Sequence, residues 1–271
     1  MTTHDFGTGP VSAHQHPNGG GWITDTATVA ETAYVGPDAQ IYNNAQIYDN
    51  ARISGNARIY GNALIFGNSL IYGNAQISGN AQISGNAKIS GNAQISGNAQ
   101  ISGNAQIYDN AQIYGYALIY GYAQIYGDAR IYDNAWIYGN ALIYGNALIY
   151  GNAQIYNNAL ISGNAQIYDN AQIYGYAQIY GNSLIYSNTK IYDDAEISNP
   201  NDILWGCLGG FNFTAYKLQN NSVFLQYGCE GHDLQAWESL HEELALKHNM
   251  PGHEKWTRTA VQTATMLKEQ P

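Results

Sequence analysis

The chain has 271 residues, 45% of them hydrophobic and only 11% charged, with a formal net charge of −10. That balance describes a folded chain and not a disordered one. The acidic excess, with Lys and Arg nowhere clustered, argues against nucleic acid or an anionic membrane as partner, and no apolar run reaches the length of a membrane span.

Residues 1–21 read as a flexible Gly- and Pro-containing arm that ends in His14-Gln15-His16-Pro17-Asn18 and three glycines before Trp22. The arm lacks a basic, apolar leader, so the expected location is cytoplasmic or virion-associated. His14 and His16 would need a third ligand to hold a metal and none lies near, so no metal or cofactor is assigned. Trp22 is expected to fold over the open end of the element that follows.

From Ile23 to Ser198 an aliphatic residue returns at every sixth position without insertion or deletion, and from Ile41 to Ile197 it is always isoleucine. Two residues earlier sits Ala, relaxed only to Ser69, Ser183 and Thr189; two and three residues later comes a turn pair such as Gly61-Asn62 or Asp49-Asn50. Turns of 3.6 residues would smear a six-residue period around a helix, whereas a short strand accommodates it. Within Ala-x-Ile, Ala and Ile share one face, and the intervening residue and the following Tyr or Ser share the other. Gly and Asn visit positive φ at least cost, so both turn positions are expected to use it. Short strands and sharp turns repeated thirty times make a coiled solenoid, residues 22–198.

The unit, together with Thr32-Ala33-Tyr34-Val35-Gly36-Pro37-Asp38-Ala39, resembles the hexapeptide repeat of left-handed parallel β-helices. That resemblance implies left-handedness, triangular coils of three hexads, and thus ten coils about 48 Å long at about 4.8 Å per step. The leader and its Gly-Gly-Trp resemble hexapeptide-repeat proteins of phages and prophages. Enzymes of the hexapeptide acyltransferase class, which share the fold, carry a catalytic histidine and a loop that interrupts the hexads. Here no histidine lies between Val29 and Ser198 and no hexad is interrupted, so catalysis does not transfer with the fold.

Grouped by eighteen, the positions after the core isoleucine form three outward columns. One runs Tyr42, Tyr60, Ser78, Ser96, Tyr114, Tyr132, Tyr150, Tyr168, Tyr186; the second runs Tyr48, Phe66, Ser84, Ser102, Tyr120, Tyr138, Tyr156, Tyr174, Tyr192. The third mixes Ser54, Ser90, Ser162 and Ser198 with Tyr72, Tyr108, Tyr126, Tyr144 and Tyr180. A serine belt from Ser78 to Ser102 therefore separates two tyrosine-clad segments. Two readings stand: rings on adjacent rungs stack for structure, or contiguous exposed aromatics mark an association surface. Tyr116, Tyr122 and Tyr176 replace Asn in the turns; each is expected to be strained there, either as a contact edge or as drift of the repeat.

After Ser198 the composition shifts, and residues 199–271 read as an α+β region closing the end of the solenoid. Strands are expected at Ile203 to Trp205, Phe213 to Gln219 and Ser222 to Tyr227, the last two joined at Asn220-Asn221. Asp233 is an N-cap for a helix with Leu234, Trp237, Leu240 and Leu244 on one stripe. Asn249-Met250-Pro251-Gly252 stops it, and a second helix from Glu254 to Lys268 carries Trp256, Ala260, Ala264 and Leu267. Cys207 and Cys229, with His232 and His241, leave open a zinc site, a disulfide or two buried free thiols.

The expected function is a non-enzymatic structural or binding solenoid, phage- or prophage-associated, that self-associates or binds a protein or glycan through Tyr114, Tyr132, Tyr150, Tyr168, Tyr120, Tyr138, Tyr156, Tyr174, Tyr122 and Tyr176. The alternatives are a carbohydrate- or ice-binding repetitive surface and a degenerate hexapeptide acyltransferase. Ice binding would favour outward Thr ladders, which the sequence lacks.

Overall fold

The computed structural model describes residues 2–192, 194–208, 211–220, 222–227, 230–247 and 253–268. Every hexad forms a short strand, three residues long in the first and two in the others, and successive strands of a face pair in parallel at a spacing of eighteen residues, as Gln76↔Gln94 and Ile77↔Ile95 do. Three hexads therefore complete one coil, and each of three faces stacks ten rungs. Face one begins at Trp22–Thr24, face two at Thr28–Val29 and face three at Tyr34–Val35. The architecture is a parallel β-solenoid of ten turns with a small C-terminal sheet and helices.

Besides the bonds within the strand ladders, a repeated backbone bond climbs the rod, N–H of residue i to C=O of residue i+17. Gln76 N donates to Ala93 O at 2.9 Å, Ser78 N to Ile95 O at 2.9 Å and Asn80 N to Gly97 O at 2.7 Å. Ala and Ile point inward as the period requires, and from Ala45 to Ile173 the alanines and isoleucines form one buried column. Burial of each isoleucine contributes about 1.5–3 kcal/mol, offset by the ordering of its hexad. The substitutes at the alanine position keep their hydroxyls paired: Ser69 Oγ donates to Phe66 O at 2.7 Å and Thr189 Oγ1 to Tyr186 O at 2.7 Å.

The turns correct one expectation. From Asn43 to Ser187 only the first residue of each pair takes positive φ, as Gly79 does at 65° and Asp49 at 58°. The second residue does not, so Tyr116, Tyr122 and Tyr176 are not strained by their turns; Gly115, Gly121 and Gly175 before them hold the left-handed conformation. At Gly79 an added Cβ would stand 2.8 Å from Gly97 N, which explains the preference for glycine. Where Asp takes the first position, its carboxylate accepts from the rung above: Asp49 Oδ2 from Gly67 N at 2.9 Å and Asp169 Oδ2 from Ser187 N at 3.1 Å.

Residues 1–21 also differ from expectation. Thr3–Asp5 and Pro10–Gln15 form an antiparallel hairpin that pairs with Trp22–Thr24 and extends face one beyond the first coil. Asp5 shapes the hairpin turn by accepting from Gly7 N at 2.7 Å and Gly9 N at 3.0 Å. Trp22 does not fold over the open end: it sits on face one at the outward position paired with Gln40, stacked on His4 with ring centroids 4.5 Å apart. The segment before it covers the edge of face three instead, Val35 N donating to Asn18 O and Gly21 N to Val35 O.

At the other end the rule of seventeen runs out of rungs, and C-terminal side chains take the place of missing carbonyls. Tyr192 N donates to the Tyr216 hydroxyl at 2.9 Å. Ser198 N and Asn199 N donate to Asp202 Oδ2 at 2.8 and 3.0 Å. Burial disfavours the Asp202 carboxylate, yet these donors, the Ser198 hydroxyl and nearby Lys217 outweigh that and hold its pKa below the ordinary value. Tyr216 and Ile203 are buried against the last coils and belong to the core of the rod.

The C-terminal sheet runs antiparallel through Ile203–Leu208, Phe211–Lys217, Val223–Tyr227 and Glu230–Asp233. The fourth strand, which ends at Asp233, was not expected from the sequence. Asp233 caps helix α1 (Leu234–Lys247), accepting from Ala236 N at 2.8 Å. Helix α2 (His253–Lys268) follows, and Trp237, Ala260, Ala264 and Leu267 bury against the sheet. The stop at 249–252 lies outside the described residues, as do Cys229 and the side chains of Leu240, His241, Leu244 and Trp256.

Candidate interaction surface

The outward columns are stacked aromatic ladders. On face one Tyr114, Tyr132, Tyr150, Tyr168 and Tyr186 stand in one file, centroids 4.8–5.2 Å apart and planes within 7° of parallel. Segments outside the repeat close this column at both ends: Phe6 packs on Tyr42, and Trp205 meets Tyr186 edge-on at 4.8 Å. On face two Tyr120 stacks on Tyr138 and Tyr174 on Tyr192, but Tyr156 turns edge-on to Tyr138 at 4.1 Å and is only 7% exposed. Face three carries a shorter file, Tyr108, Tyr126 and Tyr144.

The spacing follows from the fold, because one residue per rung repeats at the inter-strand distance of about 4.8 Å, close enough for offset stacking. Burial beneath neighbours, then the neighbouring rings themselves, raise the hydroxyl pKa of Tyr132 and Tyr168. Tyr156 is pushed up furthest, chiefly by burial. Tyr180 is pushed up to about 12, first by its bond to Glu196, to which its hydroxyl donates at 2.5 Å. Parallel stacking decides what solvent meets: each ring covers the faces of its neighbours, so the ladders present ring edges and hydroxyls.

Three asparagine ladders run along the corners, from the second turn position. Asn62 Nδ2 donates to Asn80 Oδ1 at 3.1 Å, and Asn80 to Asn98 at 3.0 Å; the other corners repeat the pattern. All three ladders break within one coil. Tyr116 and Tyr122 have no carboxamide, and Asp128 accepts from Asn110 at 3.0 Å but has no N–H to pass on to Asn146. Tyr116 and Tyr122 are 61% exposed and Tyr176 is 62% exposed, more than the ladder rings. Tyr122 and Tyr176 share a corner three coils apart, away from the stacked files.

The other candidate groups are engaged or apart. His14 Nδ1 meets Asp25 Oδ1 at 2.9 Å on the surface. His16 is buried, with Nε2 3.2 Å from Ala30 O and Asn18 N donating to Nδ1 at 3.3 Å, so it ties the hairpin to the first coil. Cys207 is a free and exposed thiol, contrary to a buried pair. Among the described residues no three His, Cys, Asp or Glu side chains cluster to hold a metal. No helix is long and apolar enough to cross a membrane among those residues.

The hairpin, the asparagine ladders and the pairing of Asp202 and Tyr216 with the last rung are not expected from the sequence. The ladders had a signal, Asn recurring at a spacing of eighteen; the Asp202 contacts had none beyond Asn-Pro-Asn-Asp after the last hexad.

A search of curated proteins finds no relative of similar sequence. Seven chains of solved structure match, among them UDP-N-acetylglucosamine O-acyltransferase (LpxA) from Moraxella catarrhalis RH4, at 16% identity over 59% of this chain and 68% of that one. The TM-score is 0.32, at which the match carries no argument about function. Neither comparison supports the phage or prophage association that the leader's resemblance implies. Residues 45–58, 57–73, 81–97, 105–121, 123–139, 135–151 and 153–169 match the family model described as YdcK Beta solenoid repeat, so over those segments the chain is similar to that repeat family.

Proposed function

We propose that the chain is a non-enzymatic structural and binding rod that associates sideways, with itself or with a protein partner, through the tyrosine files of faces one and two. The observation that carries this reading is the unbroken five-ring file from Tyr114 to Tyr186, whose exposed edge is a straight strip of aromatic carbon and hydroxyls. Such a strip suits a second flat face, where apolar edges are buried and hydroxyls find partners.

The same geometry weighs against a sugar-binding ladder, because a sugar ring stacks on an aromatic face and these faces are taken by neighbours. Outward threonines are too few for an ice-binding array. The missing histidine and the unbroken hexads weigh against acyl transfer. On this reading the C-terminal region is a cap: Asp202 and Tyr216 occupy bonds that another coil would otherwise make.

The test is sedimentation velocity across a range of concentration, comparing the native chain with Tyr132→Ser/Tyr150→Ser/Tyr168→Ser. Serine already stands in this column at Ser78 and Ser96, so the backbone tolerates it. The variant is expected to stay folded and lose self-association; equal association by both chains defeats the proposal for self-association.

A further inference from the structure

On face three at Ser90, two aromatic rings of one column stand on either side of a rung that carries no ring and is open to solvent. Tyr72 and Tyr108 stand in the same column, two rungs apart, which places them about 10 Å from one another. Ser90 occupies the rung between, where the repeat elsewhere places a ring. Tyr108 stacks on Tyr126 on its other side at 4.9 Å, whereas Tyr72 is exposed and stacks on no ring among the described residues. Tyr72, Lys88, Ser90, Gly91, Gln106, Tyr108 and Asp109 line a notch of about 300 Å³ there.

Neither kind of serine gap elsewhere reproduces it. On faces one and two the serines come in successive rungs, Ser78 with Ser96 and Ser84 with Ser102, so the flanking rings are too far apart for one ring to touch both. Ser162 is also a single gap, between Tyr144 and Tyr180, but it is buried, so that gap is closed. Ser90 is half-exposed, and its gap is open to solvent.

We propose that this notch is a binding site for a small planar aromatic ring carrying an anionic group. A ring inserted at the Ser90 rung stands about 4.9 Å from Tyr72 and from Tyr108, the separation the chain uses for its own stacks. Lys88, on the same rung, is exposed and has no ion-pair partner among the described residues, so its ammonium is available to a carboxylate on the ligand. The Ser90 hydroxyl and Gln106 carboxamide add neutral hydrogen-bonding groups at the rim. Asp109 also lines the notch; its Oδ2 accepts from Gly127 N at 3.2 Å, and its charge disfavours an anionic group on that side, so the ligand's carboxylate points to Lys88. The site is independent of the sideways association through faces one and two.

The repeat itself supplies the decisive variant. Ser90→Tyr places the missing ring in the file, where it completes the stack from Tyr72 to Tyr144 and occupies the site without removing any wall. The probe is p-hydroxyphenylacetate, titrated by ligand-observed NMR against the native chain, Ser90→Tyr, Lys88→Gln and the control Ser84→Tyr/Ser102→Tyr, which fills both rungs of the wide gap between Phe66 and Tyr120 on another face. Saturable binding is expected to the native chain and to the Ser84→Tyr/Ser102→Tyr control, weakened about tenfold or more by Ser90→Tyr. Lys88→Gln is expected to weaken this probe but not the uncharged p-cresol. Absence of saturable binding to the native chain, or equal binding by Ser90→Tyr, overturns the proposal.

Discussion

Replacing Asp202 by alanine isolates what closes the C-terminal end of the rod. Its Oδ2 accepts from Ser198 N at 2.8 Å, Asn199 N at 3.0 Å, Ser198 Oγ at 2.8 Å and Asn199 Nδ2 at 2.8 Å. In the variant the hydroxyl and carboxamide can rotate to water, but the two backbone N–H groups keep their direction and lose their acceptor. At about 1–3 kcal/mol for each stranded donor, the cost of the two is about 2–6 kcal/mol where water does not replace the carboxylate. Asp202→Asn retains an acceptor and loses the charge, so about 1–2 kcal/mol is expected. Amide hydrogen exchange is the suited assay because the effect is local: Ser198 and Asn199 should lose protection while Ile95 in mid-rod keeps it. Unchanged protection at Ser198 and Asn199 in the alanine variant would refute the view that Asp202 substitutes for the missing rung.

Other expectations follow from the same geometry. The folded-state pKa of Asp202 is depressed, so its stabilisation is present above about pH 3.9 and is lost as pH falls through the lower folded value; the protection of Ser198 relative to its intrinsic exchange rate should fall only in acid. The tyrosines have the opposite sign: Tyr132, Tyr168 and Tyr180 have raised pKa values, so their contribution holds below about pH 10 and is lost as pH rises further, which phenolate absorbance and alkaline unfolding should show together. Ile95→Asp, buried in the column of isoleucines, should abolish cooperative unfolding, whereas the exposed Gln94→Asp should be nearly neutral; equal effects in thermal melts would sink the register. Tyr116→Asn should rejoin the ladder between Asn98 and Asn134 and raise the melting temperature slightly, by about 0.5–1 kcal/mol of stability; a loss of stability would show that the exposed ring packs on something.

The rod was legible because a period of six over Ala-x-Ile admits one inward pair, and a slip of one residue would bury Tyr and expose Ile. The turn chemistry was half legible. Gly, Asn, Asp and one Ser fill the first position from Asn43 onward while Tyr is admitted at the second, a contrast that already separates the positive-φ residue from its partner. The N-terminal hairpin was hidden because glycines and a proline read as an arm, although Asp5 with Gly7 and Gly9 makes its turn. Trp22 was misplaced for a related reason: its neighbours suggested a lid, yet the hexad phase already put it one residue before the inward Ile23, on the outside. The tyrosine columns could be written down from spacing alone, but not that Tyr156 turns edge-on or that Ser90 leaves an open rung while Ser162 does not. Those differences depend on side-chain orientation, which periodicity does not encode.

Rods of fixed length are expected to associate sideways and not end to end, and electron microscopy of the intact chain at rising concentration distinguishes the two. Ten coils at about 4.8 Å set a solenoid length of about 48 Å, to which the C-terminal region adds. Particles should grow in width with concentration while their length stays that of one chain, with elongation appearing only when residues 203–271 are removed. Intact chains that string end to end, or that remain single rods at every concentration with no protein partner recruited to the tyrosine files, would contradict that expectation.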